Sequence, residues 1–299
     1  MPIIFYFPQY QKLAESLSNL TGFALANFTL KNFPDGESYI KINSDVKNKK
    51  IILLCGLENA NEKIMALMFF AKTAKELGAS EIGLVAPYLG YMRMDKRFND
   101  GEAITSNIFA EFLSKQVDWL ITIDPHLHRH KNLSEIYKIP CQTLHATGPI
   151  AAWIAANVKN PLLIGPDEES LQWVAQIAKE CGAPFIVLEK IRLGDRDVKV
   201  SLPRIEQYPQ HTPVLVDDII STARTMIEAA KNLQQQNAIA PICIGVHAIF
   251  ADDAFLELEK SYVAKIITCN SIPHQTNKIN LDQLLANSIK LKISSAGFL

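Results

Sequence analysis

Short apolar runs with no polar alternation recur along the chain, and longer amphipathic stretches separate most of them. IILLCGL (51–57), IGLVAPYL (82–89), WLITIDPH (119–126), PLLIGPDE (161–168), PFIVLEK (184–190), PVLVDDII (213–220), ICIGVHAIF (242–250) and KIITCN (265–270) read as strands, most of them buried on both faces. Between them, residues 62–78, 102–116, 147–157, 169–182, 223–237 and 252–260 have helical length and spacing. Gly78 after KTAKEL and Gly182 after IAKEC mark helix stops. Such alternation predicts an α/β fold, with mostly parallel sheets flanked by helices. In sheets of that kind ligands gather at the carboxyl ends of the strands.

A chain of 299 residues, 48% of them hydrophobic, has enough apolar material for two cores. The pattern divides near 145–150, which predicts an N-terminal domain over 1–147 and a C-terminal domain over 148–299. The segment after about residue 280 reads as a terminal helix and strand. A net charge of −1 argues against a nucleic-acid partner. The five cysteines (Cys55, Cys141, Cys181, Cys243 and Cys269) are scattered, with no CxxC spacing, so neither a disulfide framework nor a zinc knuckle is expected. MPIIFYFPQYQKL lacks the basic region and cleavage signal of a signal peptide, and no run of about 18 apolar residues is present to span a bilayer. A reduced, cytoplasmic protein without a membrane partner is the expectation.

The stretch PVLVDDIISTARTMIEAAKNL (213–233) concentrates the chemistry. An apolar run delivers two adjacent carboxylates, Asp217 and Asp218, to the place where a strand should emerge. Adjacent carboxylates repel, and become favourable mainly beside a cation or several hydroxyl groups. Ribose hydroxyls or a magnesium ion would both qualify. Ser221, Thr222, Ala223, Arg224 and Thr225 then lead into a helix, whose N-terminus favours an anion, above all a phosphate. The plainer alternative is a solvated Asp pair and a Ser/Thr helix cap.

VDDIISTART resembles the phosphoribosyl-diphosphate loop of type I phosphoribosyltransferases and of ribose-phosphate pyrophosphokinases. Five further segments resemble the second family, in its order, and are nearest to its archaeal form: NFPDGESYIKI (32–42), PYLGYMRMDKRFNDGEAITS (87–106), TIDPHLHRH (122–130), IGPDEES (164–170) and EKIRLGDRDVKV (189–200). The resemblance implies two phosphoribosyltransferase-like domains. It implies transfer of the diphosphoryl group of ATP to the anomeric hydroxyl of ribose 5-phosphate, giving phosphoribosyl pyrophosphate and AMP. By the same resemblance, Phe33, Asp35 and Glu37 with Arg93, Asp95 and Lys96 bind ATP. His126 and Asp167 hold Mg2+, and Lys190 and Arg192 are catalytic. Asp217, Asp218 and residues 221–225 bind ribose 5-phosphate. The family's Phe33 loop reaches into a neighbouring subunit, so a homo-oligomer, at least a dimer, is implied.

Several positions depart from the family pattern. Met94 stands where the family has Gln, Glu169 and Ser170 replace Gly-Gly, and Ala223 and Arg224 replace another Gly-Gly. Glycine lets backbone amides approach a phosphate with no side chain in the way; Ala223 is thus a small departure and Arg224 a large one. Two alternatives stay open at this point. One is a catalytically weak or inactive homologue that binds nucleotide and regulates a synthetase. The other is a metal-dependent hydrolase built on the alternating histidines His126, His128 and His130.

Overall fold

The computed structural model describes residues 1–127, 129–165, 170–188, 190–192, 198–200 and 205–295, with 190–192, 198–200 and 295 as backbone. The chain forms two compact units, Met1–Leu144 with Asp282–Leu299, and His145–Leu281.

The first unit runs β1 (Ile3–Tyr6), α1 (Gln11–Thr21), β2 (Ala24–Leu25), β3 (Phe28–Asn32), β4 (Ser38–Ile42), β5 (Lys50–Leu54), α2 (Ala60–Glu76), β6 (Glu81–Ala86), α3 (Thr105–Ser114), β7 (Trp119–Ile123) and β8 (Cys141–Leu144). Its six-stranded sheet has the order β2-β1-β5-β6-β7-β8, parallel throughout. The second unit runs α4 (Thr147–Asn157), β9 (Pro161–Gly165), α5 (Leu171–Cys181), β10 (Phe185–Val187), β11 (Lys190–Arg192), β12 (Val198–Val200), β13 (Thr212–Ile220), α6 (Arg224–Gln235), β14 (Ile242–Ala248), α7 (Ala254–Lys260), β15 (Lys265–Cys269) and β16 (Asn277–Ile279). Its sheet is also six-stranded and parallel, in the order β10-β9-β13-β14-β15-β16.

Each of the eight apolar runs holds a strand, and each of the six helical stretches holds a helix. The runs lack alternation because both faces are covered: β7 and β14 are buried along their whole length. Gly78 and Gly182 lie just past α2 and α5 with φ of 90° and 67°, the left-handed turn that ends a helix without Cβ strain. All five cysteines are free thiols. Burial pushes the thiols of Cys55 and Cys243 well up, and that of Cys141 up to about 12. None of the three is a thiolate nucleophile near neutral pH. Among the described residues, no helix is long and apolar enough to cross a membrane.

The last helix departs from the expected division. α8 (Asp282–Ser295) joins the first unit and packs on α1. Its Leu285, Ala286 and Ile289 are buried, and its Ser288 hydroxyl donates to Gln142 Oε1 at 2.7 Å. A strand beyond α8 would lie outside the described residues.

One cross-strand pair fixes the centre of the first sheet. Gly83 on β6 sits opposite Trp119 on β7, and a Cβ at Gly83 would come within 1.9 Å of the buried indole. The glycine is there to admit the ring. Gly83→Ala should destabilise the protein by about 1–3 kcal/mol or more through overpacking. Pairing it with Trp119→Leu should give less than the sum of the two single losses. Urea unfolding reads both effects, and an unchanged midpoint for Gly83→Ala would refute the packing argument.

Candidate functional site

In the first unit, β3 and β4 form an antiparallel hairpin. Phe28, Leu30, Ile40 and Ile42 alternate toward the core, where Phe28 packs on Phe70 at 5.0 Å between ring centres. The turn is closed by Phe33 N–H donating to Glu37 O at 2.8 Å, and by Glu37 N–H donating to Asp35 Oδ1 at 3.1 Å. One oxygen of Asp35 therefore orders the turn. Phe33 is 51% exposed at the tip, with an edge contact to Tyr39. The hairpin presents its aromatic ring to the outside and anchors its opposite face.

The loops after β6 and β7 carry the second group. Arg93 and Lys96 are exposed, whereas the side chain of Asp95 is only 2% exposed. Arg129 Nη1 donates to Asp95 Oδ1 at 2.6 Å. The same guanidinium lies 5.3 Å from the centre of the Phe98 ring, and Lys96 Nζ lies 4.9 Å from it. Glu102 closes the loop below. It accepts from the Asn99 side chain and from the N–H groups of Asn99 and Phe98, and these bonds hold its carboxyl below the usual range.

His126 is half-buried, two residues beyond Asp124, a buried carboxylate with φ of 34° whose N–H donates to Leu144 O at 2.9 Å. Asp124 offers the kind of oxygen donor that magnesium prefers, and His126 follows it at the same strand tip. Asp167 and His128 lie outside the described residues. His130 faces Glu135, with Nδ1 3.2 Å from Oε2. Among the described residues, no three His, Cys, Asp or Glu side chains converge on one metal position.

In the second unit, β13 runs through Asp217 and Asp218 to Ile220 and does not stop at the acidic pair. Asp217 pairs with Gly245 and Ile219 with His247 on β14, whereas the ladder with β9 stops at Leu215. Among the described residues, the pair is thus flanked by a strand on one side only. Regular alternation gives adjacent residues opposite faces, so the two carboxylates are not equivalent. Ile220 O and Ser221 O accept from Phe250 N–H and Ala251 N–H at 2.9 and 3.0 Å, which braces the turn. Ala223 is buried with φ of 57° and precedes the first residue of α6, Arg224, which is exposed. Thr222 is exposed and Thr225 half-buried.

The two altered glycine positions therefore differ in the reverse of the expected sense. Ala223 occupies a left-handed position suited to glycine, and Arg224 begins an ordinary helix. Ser170 also has a definite place: its Oγ lies 2.5 Å from where a Cβ on Gly165 would be. Glu169 lies outside the described residues. Lys190 and Arg192 are on β11, which pairs antiparallel with β12, and β12 lies beside α6. Asp124, Phe98 and Arg129 were not among the expected site residues. Asp124 was legible as the carboxylate of the strand-tip sequence DPH, but the contacts of Phe98 and Arg129 exist only in the fold.

Comparison with known proteins identifies the family. Residues 2–116 match the N-terminal domain of ribose phosphate pyrophosphokinase, and residues 132–283 match the phosphoribosyl transferase domain. A ribose-phosphate pyrophosphokinase of Sulfolobus acidocaldarius is 31% identical over 283 residues, covering 93% of this chain and 96% of that one. One of Sulfurisphaera tokodaii is 30% identical over 274 residues, covering 89% and 92%. The crystal structure of phosphoribosylpyrophosphate synthetase from Mycobacterium smegmatis superposes with a TM-score of 0.86 over 98% of this chain and 99% of its own, at 20% identity, which establishes the shared fold. The chain belongs to the ribose-phosphate pyrophosphokinase family.

Proposed function

We propose that this protein transfers the β,γ-diphosphoryl group of ATP to the anomeric hydroxyl of ribose 5-phosphate. The oxygen–phosphorus bond between that hydroxyl and the β-phosphorus forms as the bond to the α-phosphate oxygen breaks. AMP leaves, and the hydroxyl proton passes to solvent. The observation that carries the reading is the Asp217–Asp218 pair on β13, followed within a few residues by a left-handed turn and the N-terminus of α6. That order supplies acceptors for a sugar diol and donors for its phosphate. It occurs in a chain whose family is defined by this reaction.

Asp217 and Asp218 hold the ribose hydroxyls, and Ser221, Thr222, Ala223, Arg224 and Thr225 take the 5-phosphate. Phe33 stacks on adenine, with Asp35 and Glu37 accepting around it, and Arg93, Asp95 and Lys96 form the second nucleotide segment. The exposed Phe33 tip is suited to a neighbouring copy of this chain, which supports a homo-oligomer of at least two subunits. Asp124 and His126, with Asp167, would hold Mg2+, which neutralises phosphate charge when bound. Lys190 and Arg192 counter the charge on the transferring group, the main demand of phosphoryl transfer. The left-handed turn is kept at Ala223, which favours an active enzyme over a binding-only homologue.

The decisive assay is purified protein with ATP, magnesium and ribose 5-phosphate, following AMP. No AMP above the rate without ribose 5-phosphate would reject the proposal. Alanine at Lys190 or Arg192 should lower kcat by roughly 10²-fold or more with a smaller change in KM, because the contact matters chiefly in the transition state. Near-normal kcat in the double variant would remove both from the mechanism.

The turn yields a separate prediction. Non-glycine residues lose about 1–2 kcal/mol in the left-handed region, and a β-branched residue is a genuine outlier there. Ala223→Gly should keep ribose 5-phosphate binding, and Ala223→Val should abolish it while leaving Mg·ATP binding within about twofold. Arg224→Gly should weaken ribose 5-phosphate binding by about 1–3 kcal/mol through loss of a charge-assisted bond. Calorimetry distinguishes these outcomes; tighter binding by Arg224→Gly would mean that the guanidinium obstructs the loop.

A further inference from the structure

We propose that Arg129 is a substrate-binding residue that contacts the phosphates of the nucleotide, and that Asp95 and Phe98 hold its guanidinium in place. This assignment rests on the proposed use of ATP. It assigns Asp95 a positioning role, acting through Arg129.

The geometry separates the two residues. Asp95 has a side chain only 2% exposed, so it presents almost no surface to a ligand, whereas the Arg129 side chain is 42% exposed. A buried carboxylate requires a partner, and removing that partner is strongly destabilising. Asp95 Oδ1 accepts from Arg129 Nη1 at 2.6 Å. Its other oxygen, Oδ2, is buried with no hydrogen-bond partner among the described residues. The ion pair is thus the main compensation for this charge.

A guanidinium carries five N–H donors in a planar fork, and the contact to Asp95 engages one nitrogen. The Phe98 ring, 5.3 Å from the guanidinium carbon, gives the plane a second support. Held on two sides and exposed on the remainder, the group is pre-oriented for an anion with forked oxygens, for which arginine is better suited than lysine. Its place fits a polyphosphate. Arg129 follows His126 in the loop after β7, and Asp95 and Phe98 lie in the loop after β6. Those strands are neighbours in one parallel sheet, so both loops leave the edge where ligands gather. Lys96, 4.9 Å from the same ring, adds a second cation.

The test compares two ligands that differ in phosphate. Arg129→Gln alone strands the Asp95 charge, so the variant to use is Arg129→Gln with Asp95→Asn, which removes the ion pair together. Calorimetry on the full chain should show Mg·ATP weakened by about ten- to a hundredfold, the loss of a charge-assisted contact. Adenosine should remain within about twofold of the unaltered protein. Arg129→Lys, which keeps the charge without the fork, should recover part of the loss. Equal weakening of Mg·ATP and adenosine would overturn the assignment, since it would mean that Arg129 only holds the loop. Unchanged Mg·ATP binding would overturn it too. Failure of the unaltered protein to bind Mg·ATP would instead remove the proposed function, and this inference with it.

Discussion

Parallel pairing is the constraint on which the rest of the structure depends. Antiparallel strands can be joined by a tight turn, but a parallel pair needs a crossover through a helix or a long loop. Both large sheets are parallel throughout, so successive strands must leave at the carboxyl edge and return at the other. Polar side chains that would be costly inside either sheet collect in those exits. Residues 91–98 follow β6, residues 124–130 follow β7, and residues 221–225 follow β13. Much of the proposed chemistry therefore sits at positions that the backbone hydrogen bonding has already selected.

Much of this was legible because burial on two faces leaves an unmistakable record. IILLC, WLITI and ICIGVHA contain no alternation, and each is a covered central strand. The hairpin arms were harder. FTLKN and SYIKI have only a half-buried face, and their period-two pattern is short. It was nevertheless present on either side of a Pro-Asp-Gly turn, and could have been read as a hairpin. A strand was expected over 213–220, close to the one found, but the acidic pair was expected at its tip. Asp217 and Asp218 remain within a strand that runs on to Ile220.

Other features were beyond the reach of a single sequence. Asp95 and Arg129 are 34 positions apart, and nothing in either local stretch marks them as partners. Their pairing follows from β6 and β7 being neighbours, a fact of strand order and not of local pattern. The backbone of Ala223 is a similar case. Glycine advertises a left-handed turn, but alanine in the same conformation hides it. The sequence therefore drew attention to the more conspicuous Arg224, which begins an ordinary helical turn.

The position of α8 has a consequence for how the chain assembles. The second unit is one continuous segment, His145–Leu281, which in sequence interrupts the first. The helix that covers α1 is synthesised after the whole of the second unit, and Ser288 completes a bond to Gln142, made long before it. Domains form in the order in which their parts emerge from the ribosome. Here the unit begun first is finished last. Until α8 arrives, the part of α1 that it covers is open to other partners, so the first unit depends on a segment made only after the second is complete.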